Sequence, residues 1–154
     1  MSAQLVDKDG KALANRDVTL SINLLGINKG TYTPIKVDGK PTRLKDTTAS
    51  CFGANLPASA QIATAFVLPQ GGSSNVITYK TDATGKFDFR VRYLRQYAGW
   101  QTLDLKAVVK INSTPMQNLE STLYYPLSIL KDDYESEAGQ PFDTSPYGTN
   151  LNCN

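Results

Sequence analysis

The chain has 154 residues and a mass of 16.8 kDa, which fits one domain with embellishments better than two full-sized domains. Its 40% apolar residues are enough for a hydrophobic core, and a net charge of +2 is too balanced for a polyelectrolyte partner such as duplex DNA. The sequence contains no histidine, which excludes Ser-His-Asp and Cys-His catalytic arrangements and the usual histidine-based metal sites. We therefore predict no enzymatic activity, no cofactor, no metal and no nucleic-acid partner.

The first part of the chain predicts three strands. Residues 4–6 form a short strand before the turn-forming Asp7-Lys8-Asp9-Gly10. Residues 17–25 have the period of two of a half-buried strand, with these apolar side chains on one face: Val18, Leu20, Ile22 and Leu24. Residues 31–37 form a third strand, which ends at Asp38-Gly39, a strong signal for a two-residue hairpin.

The second part of the chain predicts four further strands. Residues 76–80 and 87–93 form two of them, and the second alternates aromatic and apolar residues with polar ones. Residues 103–111 and 119–129 form two longer strands with apolar residues at every second position, which we expect to face the core. Pro126 indicates an edge position or a bulge in the last strand.

This set of strands predicts the fold class. About seven short strands separated by Gly, Pro and Asp turns are typical of a two-sheet antiparallel sandwich. We predict an all-β fold, an immunoglobulin-like antiparallel β-sandwich, as a single domain over residues 1–154. Since a typical sandwich needs about 100 residues, the remainder falls in a long insertion at 26–75 and an irregular C-terminal tail at 131–154. Residues 58–68 fit either a short helix or a strand.

The two cysteines bear on the compartment. Cys51 and Cys153 are far apart and have neither close C-x-x-C spacing nor a histidine partner, which favours a disulfide over a metal or redox site. Such a bridge would tie down the C-terminal tail, at a gain of about 4–5 kcal/mol in the chain-entropy model. The alternative is two free thiols in a cytosolic protein. The disulfide predicts an extracytoplasmic location: periplasmic, cell-surface or secreted.

Membrane and targeting signals are also informative. No run approaches the roughly 18 apolar residues of a spanning helix, so we predict no membrane span in this segment. Residues 1–10 lack the basic and apolar regions of a signal peptide. We therefore expect any native signal to lie outside this sequence.

Three runs together resemble a known family. They are residues 6–22 (VDKDGKALANRDVTLSI), residues 81–89 (TDATGKFDF) and residues 97–107 (YAGWQTLDLKA). In this order they are similar to the opening strand and turn, the Thr-Asp-x-x-Gly turn and the Ala-Gly step of bacterial immunoglobulin-like domains of the invasin and intimin type. The resemblance implies a secreted or surface-exposed bacterial module with a structural or adhesion role and no catalytic residues. Its partners would be a protein or glycan on a cell surface, or neighbouring domains of the same chain.

A second hypothesis is a carbohydrate-binding module. Basic and aromatic residues are interleaved in one stretch of the chain: Arg90, Arg92, Tyr93, Arg95, Tyr97 and Trp100. Such a surface could bind anionic glycans or single-stranded nucleic acid by charge and stacking. Alternatively, the arginines form the solvated face of a strand and the aromatic rings fill the core. Tyr124 and Tyr125 are adjacent, so one of them must point outward. The possible ligand contacts are Tyr97, Trp100 and Tyr124.

Two groups of carboxylates have simpler interpretations than a site. Asp7, Asp9 and Gly10 resemble the first half of a calcium loop, but Val18 stands where the loop requires an acidic residue, and this favours a turn. A third hypothesis, an enzyme that works by carboxylates alone, would use the acidic residues of the tail. These are Asp132, Asp133, Glu135 and Glu137, and a solvated charge run explains them more simply.

Overall fold

The computed structural model describes residues 1–46, 49–56, 65–68, 75–111, 117–130, 132, 143–150 and 152–153. This part of the chain consists almost entirely of strands and turns, which confirms the predicted all-β fold. The strands are β1 (Ser2–Gln4), β2 (Asp17–Asn28), β3 (Thr31–Val37), β4 (Lys40–Asp46), β5 (Ser50–Phe52), β6 (Ala65–Leu68), β7 (Val76–Lys80), β8 (Lys86–Asp88), β9 (Arg90–Tyr93), β10 (Gln101–Ile111) and β11 (Gln117–Pro126).

The strands form one five-stranded sheet and three two-stranded ones. The larger sheet has the order β11-β10-β2-β5, and β7 also pairs with β2. The smaller sheets are β1-β8, β3-β4 and β6-β9. The pairs of β2 with β7 and with β5 are antiparallel, as is the β3-β4 hairpin. The stacking of sheets into an immunoglobulin-like sandwich stays a prediction.

The chain divides into two compact units. Unit 1 comprises residues 1–23, 65–92 and 104–123, and unit 2 comprises residues 24–64, 93–103 and 124–154. Strands β2, β9, β10 and β11 contribute residues to each unit. The single domain over residues 1–154 stays a prediction. In the part of the chain that the structure describes, no helix is long and apolar enough to span a membrane.

The core of unit 1 follows from the predicted alternation. Val18, Leu20 and Ile22 of β2 are buried, whereas Thr19 and Ser21 between them are more exposed. Three aromatic rings pack together: Tyr79 stacks on Phe87 at 5.2 Å between centroids, and Phe87 lies 6.0 Å from Phe89. Burial raises the pKa of the Tyr79 phenol. Aromatic pairs of this kind stabilise a core beyond the area that they bury.

The turns of unit 1 use Asp side chains as local acceptors. Asp7 Oδ1 accepts the backbone N–H groups of Asp9 and Lys11, each at 2.9 Å. Asp82 Oδ1 accepts those of Thr84 and Lys86 at 2.7 and 2.9 Å, and the turn ends at Gly85, which has a φ of 73°. The hydrogen bond from the Lys86 N–H is the main cause of a lowered pKa of Asp82, and the hydrogen bond from the Thr84 side chain is the second cause. The turn interpretation of Asp7 is therefore confirmed, because its carboxylate serves its own backbone.

The hairpin of unit 2 forms as the sequence predicts. Val37 of β3 pairs with Lys40 of β4, so the loop has only the residues Asp38 and Gly39. Both have a positive φ, 50° and 75°, as a type I′ turn requires. The predicted insertion at 26–75 thus contains a hairpin, followed by β5 and β6. Of the ambiguous segment 58–68, residues 65–68 are a strand and the rest lies outside the described residues.

Trp100 is at the centre of the unit 2 core. Its side chain is fully buried, its ring centroid is 4.7 Å from that of Tyr32, and Ile129 packs against the pair. Gly99 has a φ of 77°, and a Cβ at this position would meet the Tyr32 hydroxyl at 2.7 Å. The Gly99 N–H donates to the carbonyl of Leu127 at 2.7 Å. A side chain at position 99 would therefore disturb the packing of the tryptophan.

Strand β11 lies at the end of the five-stranded sheet order, as Pro126 predicts, and the strand ends at that residue. The expectation that its alternating apolar residues all face the core is wrong for Leu119 and Leu123. Both side chains are about half exposed. Residues 118–124 are all exposed, so no described residue covers either face of this part of β11. Alternation of apolar residues identifies one face of a strand, but it does not show whether other residues pack on that face.

Candidate functional site

The predicted disulfide is confirmed. Cys51 lies on β5 opposite Ile27 of β2, and its Sγ is bonded to that of Cys153 at 2.05 Å. Cys51 and Ile27 are both fully buried, and Leu24 and Tyr147 pack against them. The bridge therefore joins the tail to an apolar part of the unit 2 core.

The described part of the tail is irregular but well connected. Lys29 Nζ donates to the carbonyl of Asn152 at 2.6 Å, and Ser145 Oγ donates to that of Asn28 at 2.7 Å. The Gly30 N–H donates to the carbonyl of Gly148 at 3.0 Å. These bonds join the tail to the segment that connects β2 and β3, so the disulfide is one of several attachments.

Tyr147 connects the tail to β10. The side-chain amide of the buried Gln101 donates to the Tyr147 hydroxyl, and the Tyr147 ring lies 6.0 Å from that of Tyr97. Burial raises the pKa of Tyr147 to about 12, although the Gln101 hydrogen bond opposes this shift. The phenol is therefore neutral throughout the physiological range.

This pKa predicts a loss of stability at alkaline pH. The unfolded chain releases the Tyr147 proton near the ordinary value of 10.0, but the folded chain retains it until about pH 12. The unfolded state thus binds fewer protons between these values, so the free energy of unfolding should fall as the pH rises through this window. Urea denaturation at a series of pH values should show a smaller fall in the free energy of unfolding for Tyr147→Phe than for the wild type. The fall is measured for each protein relative to its own stability at neutral pH. An identical fall in both proteins would contradict the assignment.

The structure separates the three predicted ligand contacts. It corrects the prediction for Trp100, because an indole with no exposed surface cannot stack on a ligand. Tyr97 is half-buried and faces Tyr147. Tyr124 is 67% exposed while Tyr125 is half-buried, which confirms that one of the adjacent tyrosines points outward.

The basic and aromatic stretch is divided between the surface and the packed interior. Arg90 and Arg92 are exposed on β9, as the solvated face of a strand would be. The Tyr93 hydroxyl donates to the carbonyl of Ser128 at 2.7 Å, and burial, with Tyr125 as a second cause, raises its pKa. Beside Tyr93 is a hollow of about 260 Å³ in unit 2, lined by Tyr93, Arg95, Ala98, Ser128 and Leu130.

Unit 1 contains a larger and more polar hollow, which we call the polar hollow. It has a volume of about 400 Å³ and is lined by Asn15, Arg16, Asp17, Thr19, Thr78, Val108 and Lys110. These residues come from the segment before β2 and from β2, β7 and β10. The sequence pattern does not reveal this hollow, because its residues belong to separate strands and to the segment before β2. Alternation marks them as outward, but only the strand order makes them neighbours.

The carboxylates do not form a recognisable centre. Among the described residues there is no group of three or more Cys, Asp or Glu that could hold a metal ion. Asp132 is exposed, and the other acidic residues of the predicted tail group, Asp133, Glu135 and Glu137, lie outside the described residues. In the described part of the chain, two buried side-chain atoms have no hydrogen-bond partner, the Tyr79 hydroxyl and Asp104 Oδ1, and they are far apart in the sequence.

Comparison of the chain with protein-family models, curated proteins and solved structures gives no match. The functional interpretation therefore rests on the residues of this chain and on their geometry.

Proposed function

We propose that this chain is a non-catalytic extracytoplasmic module, an immunoglobulin-like domain of the bacterial invasin and intimin type with a structural or adhesion role. Its partners would be a protein or glycan on a cell surface, or neighbouring domains of the same chain. Recognition would use exposed side chains on a rigid β-scaffold, which is how β-rich binding domains generally act.

The disulfide is the observation that carries this proposal. Bridges persist in oxidising compartments and are rare in the reducing cytosol. The bond between Cys51 and Cys153 is built into the fold, since Cys51 is fully buried and the tail has its own hydrogen bonds to the body of unit 2. A structural bond of this kind favours a protein that works outside the cytosol.

Carbohydrate binding through stacked aromatic rings is supported less well. Of the three rings considered, Trp100 is in the core and Tyr97 packs against Tyr147, so only Tyr124 presents an exposed ring. One isolated platform contributes about 1–3 kcal/mol to stacking on a planar ligand. A glycan ligand would have to be recognised by other groups.

Two measurements on protein exported to the periplasm of a bacterial host test the proposal. Alkylation under denaturing conditions followed by intact-mass measurement should detect no free thiol. Beads coated with the chain should be retained on intact cells more strongly than beads coated with an unrelated protein of similar size and charge. Free thiols in the exported protein would overturn the proposal, and retention no stronger than that of the control beads would overturn its adhesion role.

A further inference from the structure

The polar hollow of unit 1 has a positive charge that the surrounding residues do not neutralise. Asp17 is the only acidic residue among the described lining residues, and its carboxylate pairs with Lys80 Nζ at 2.9 Å. Arg16 and Lys110 also line the hollow, and neither side chain has an ion-pair or hydrogen-bond partner among the described residues. Three cations against one carboxylate leave a net attraction for an anion.

The corner that presents Arg16 is fixed by a buried threonine. Thr81 Oγ1 accepts the Arg16 N–H at 2.9 Å and donates to the carbonyl of Leu13 at 2.8 Å. The backbone of Thr81 makes two more bonds, from its N–H to the Arg16 carbonyl and from the Asn15 N–H to its own carbonyl. Asn15 has a φ of 57°, a left-handed conformation that asparagine tolerates better than most residues. The rim of the hollow is therefore held in place before any ligand binds.

The floor of the hollow offers neutral polar groups. Thr19 and Thr78 are directly paired across β2 and β7, and their hydroxyl oxygens are 3.1 Å apart. Each hydroxyl can both donate and accept, so the pair has capacity for further hydrogen bonds. None of the described residues that line the hollow carries an aromatic ring. Charge and hydrogen bonds, rather than stacking, would supply the affinity.

An extended peptide is a poor fit to this surface. Peptides commonly bind β-proteins by adding a strand to an open edge. The part of β2 that lines the hollow pairs with β10 on one side and with β7 on the other, so neither of its edges is free to pair with a peptide there. A ligand would therefore be recognised by side chains that project from the sheet face. Cations and hydroxyls in a space of about 400 Å³ suit a ligand with both carboxylate and hydroxyl groups.

From these observations we infer that the polar hollow binds an acidic glycan, with the Arg16 and Lys110 side chains on a uronic-acid carboxylate and the Thr19 and Thr78 hydroxyls on the sugar hydroxyls. This inference deepens the proposed function, and rests on it for the compartment in which such a glycan is met. An inorganic anion or an acidic peptide would contact the Arg16 and Lys110 side chains and would not need the Thr19 and Thr78 hydroxyls.

Titration calorimetry with an oligogalacturonate tests the inference, with a neutral cello-oligosaccharide of the same length and a polyglutamate of the same charge as comparisons. The wild-type chain should bind the oligogalacturonate, should bind the two comparison ligands at least about fivefold more weakly, and should lose affinity as salt is raised. Arg16→Ala with Lys110→Ala should weaken binding about tenfold, since two charge contacts are lost.

Two further double variants identify the groups involved. Lys8→Ala with Lys86→Ala removes the same charge from unit 1 at residues that do not line the hollow, and should change affinity by less than about twofold. Thr19→Val with Thr78→Val keeps the β-branched shape and removes only the hydroxyls, and should weaken oligogalacturonate binding about fivefold without affecting polyglutamate. Circular dichroism and urea denaturation check that each variant is folded.

The outcomes separate this inference from the proposed function. The glycan inference is overturned if the folded wild-type chain does not bind oligogalacturonate or if polyglutamate binds as tightly. It is also overturned if the Lys8 and Lys86 replacements weaken binding as much as the Arg16 and Lys110 replacements. Loss of the glycan site with intact disulfide and cell adhesion leaves the proposed function standing. Free thiols in the exported chain overturn the proposed function whatever the glycan result.

Discussion

Replacing both bridge cysteines, Cys51→Ala with Cys153→Ala, is expected to lower the free energy of unfolding by about 4–5 kcal/mol. The bond joins residues 102 positions apart, so it removes a large amount of conformational freedom from the unfolded chain. Chemical denaturation should therefore show a much lower midpoint for the double variant. A domain of this size commonly has only about 5–15 kcal/mol of stability, so the variant should be close to its limit.

The wild-type chain under reducing conditions is the control for packing. Reduction breaks the bond and keeps both sulfur atoms, whereas alanine also removes sulfur from the apolar cluster around Ile27. The reduced wild type should lose nearly as much stability as the double variant. If neither loses more than about 1 kcal/mol, the chain-entropy account of this bridge is wrong.

The rate of proteolysis in the tail gives a second measure of the effect of losing the disulfide. In the oxidised protein Tyr147 is half-buried and bonded to Gln101, so cleavage by chymotrypsin at this residue should be slow. Without the bridge, the remaining hydrogen bonds of the tail should open more often and cleavage should accelerate. Equal cleavage rates in the oxidised and reduced proteins would show that the hydrogen bonds alone hold the tail.

Trp100→Ala should be the most damaging single substitution in the core of unit 2, at about 3–5 kcal/mol. The change removes the ring that packs against Tyr32 and Ile129 and leaves a cavity between them. Trp100→Phe keeps an aromatic ring and should cost less. Tyr124→Ala, an aromatic truncation at a 67% exposed position of the same unit, should stay within about 0.5 kcal/mol.

Fluorescence gives an independent check, because Trp100 is the single tryptophan of the chain. Its emission should be blue-shifted and poorly quenched by iodide in the native state, and should shift to the red on unfolding. An indole that iodide quenches freely in the folded protein would contradict its burial and restore Trp100 as a possible ligand contact.

Local sequence signals predicted the features that depend on local geometry. The Asp38-Gly39 turn followed from two adjacent residues that tolerate positive φ. The strands at 31–37 and 76–80 have the predicted bounds, because alternation and flanking turns lie within a few residues of each other. The pairing of Cys51 with Cys153 was also predictable, since two cysteines allow only one intramolecular bridge.

Features that depend on strand order were not predictable in this way. Leu119 and Leu123 have the same alternation as Leu103 and Leu105, yet they are exposed because no described residue covers either face of that part of β11. The polar hollow depends on β7 and β10 both lying next to β2, although their sequences are far apart. Trp100 was mistaken for a possible contact because its neighbours are basic, whereas its burial depends on Tyr32 and Ile129.

The covalent link between β5 and the tail also determines how the molecule would respond to mechanical pulling. If the two ends of the chain are drawn apart, tension passes from Met1 to Cys51, crosses the sulfur–sulfur bond to Cys153 and leaves at Asn154. The intervening segment is shielded from stretching, so full extension reaches only about a third of the contour length of the reduced chain. Oxidation would thus convert a long extensible tether into a much shorter one.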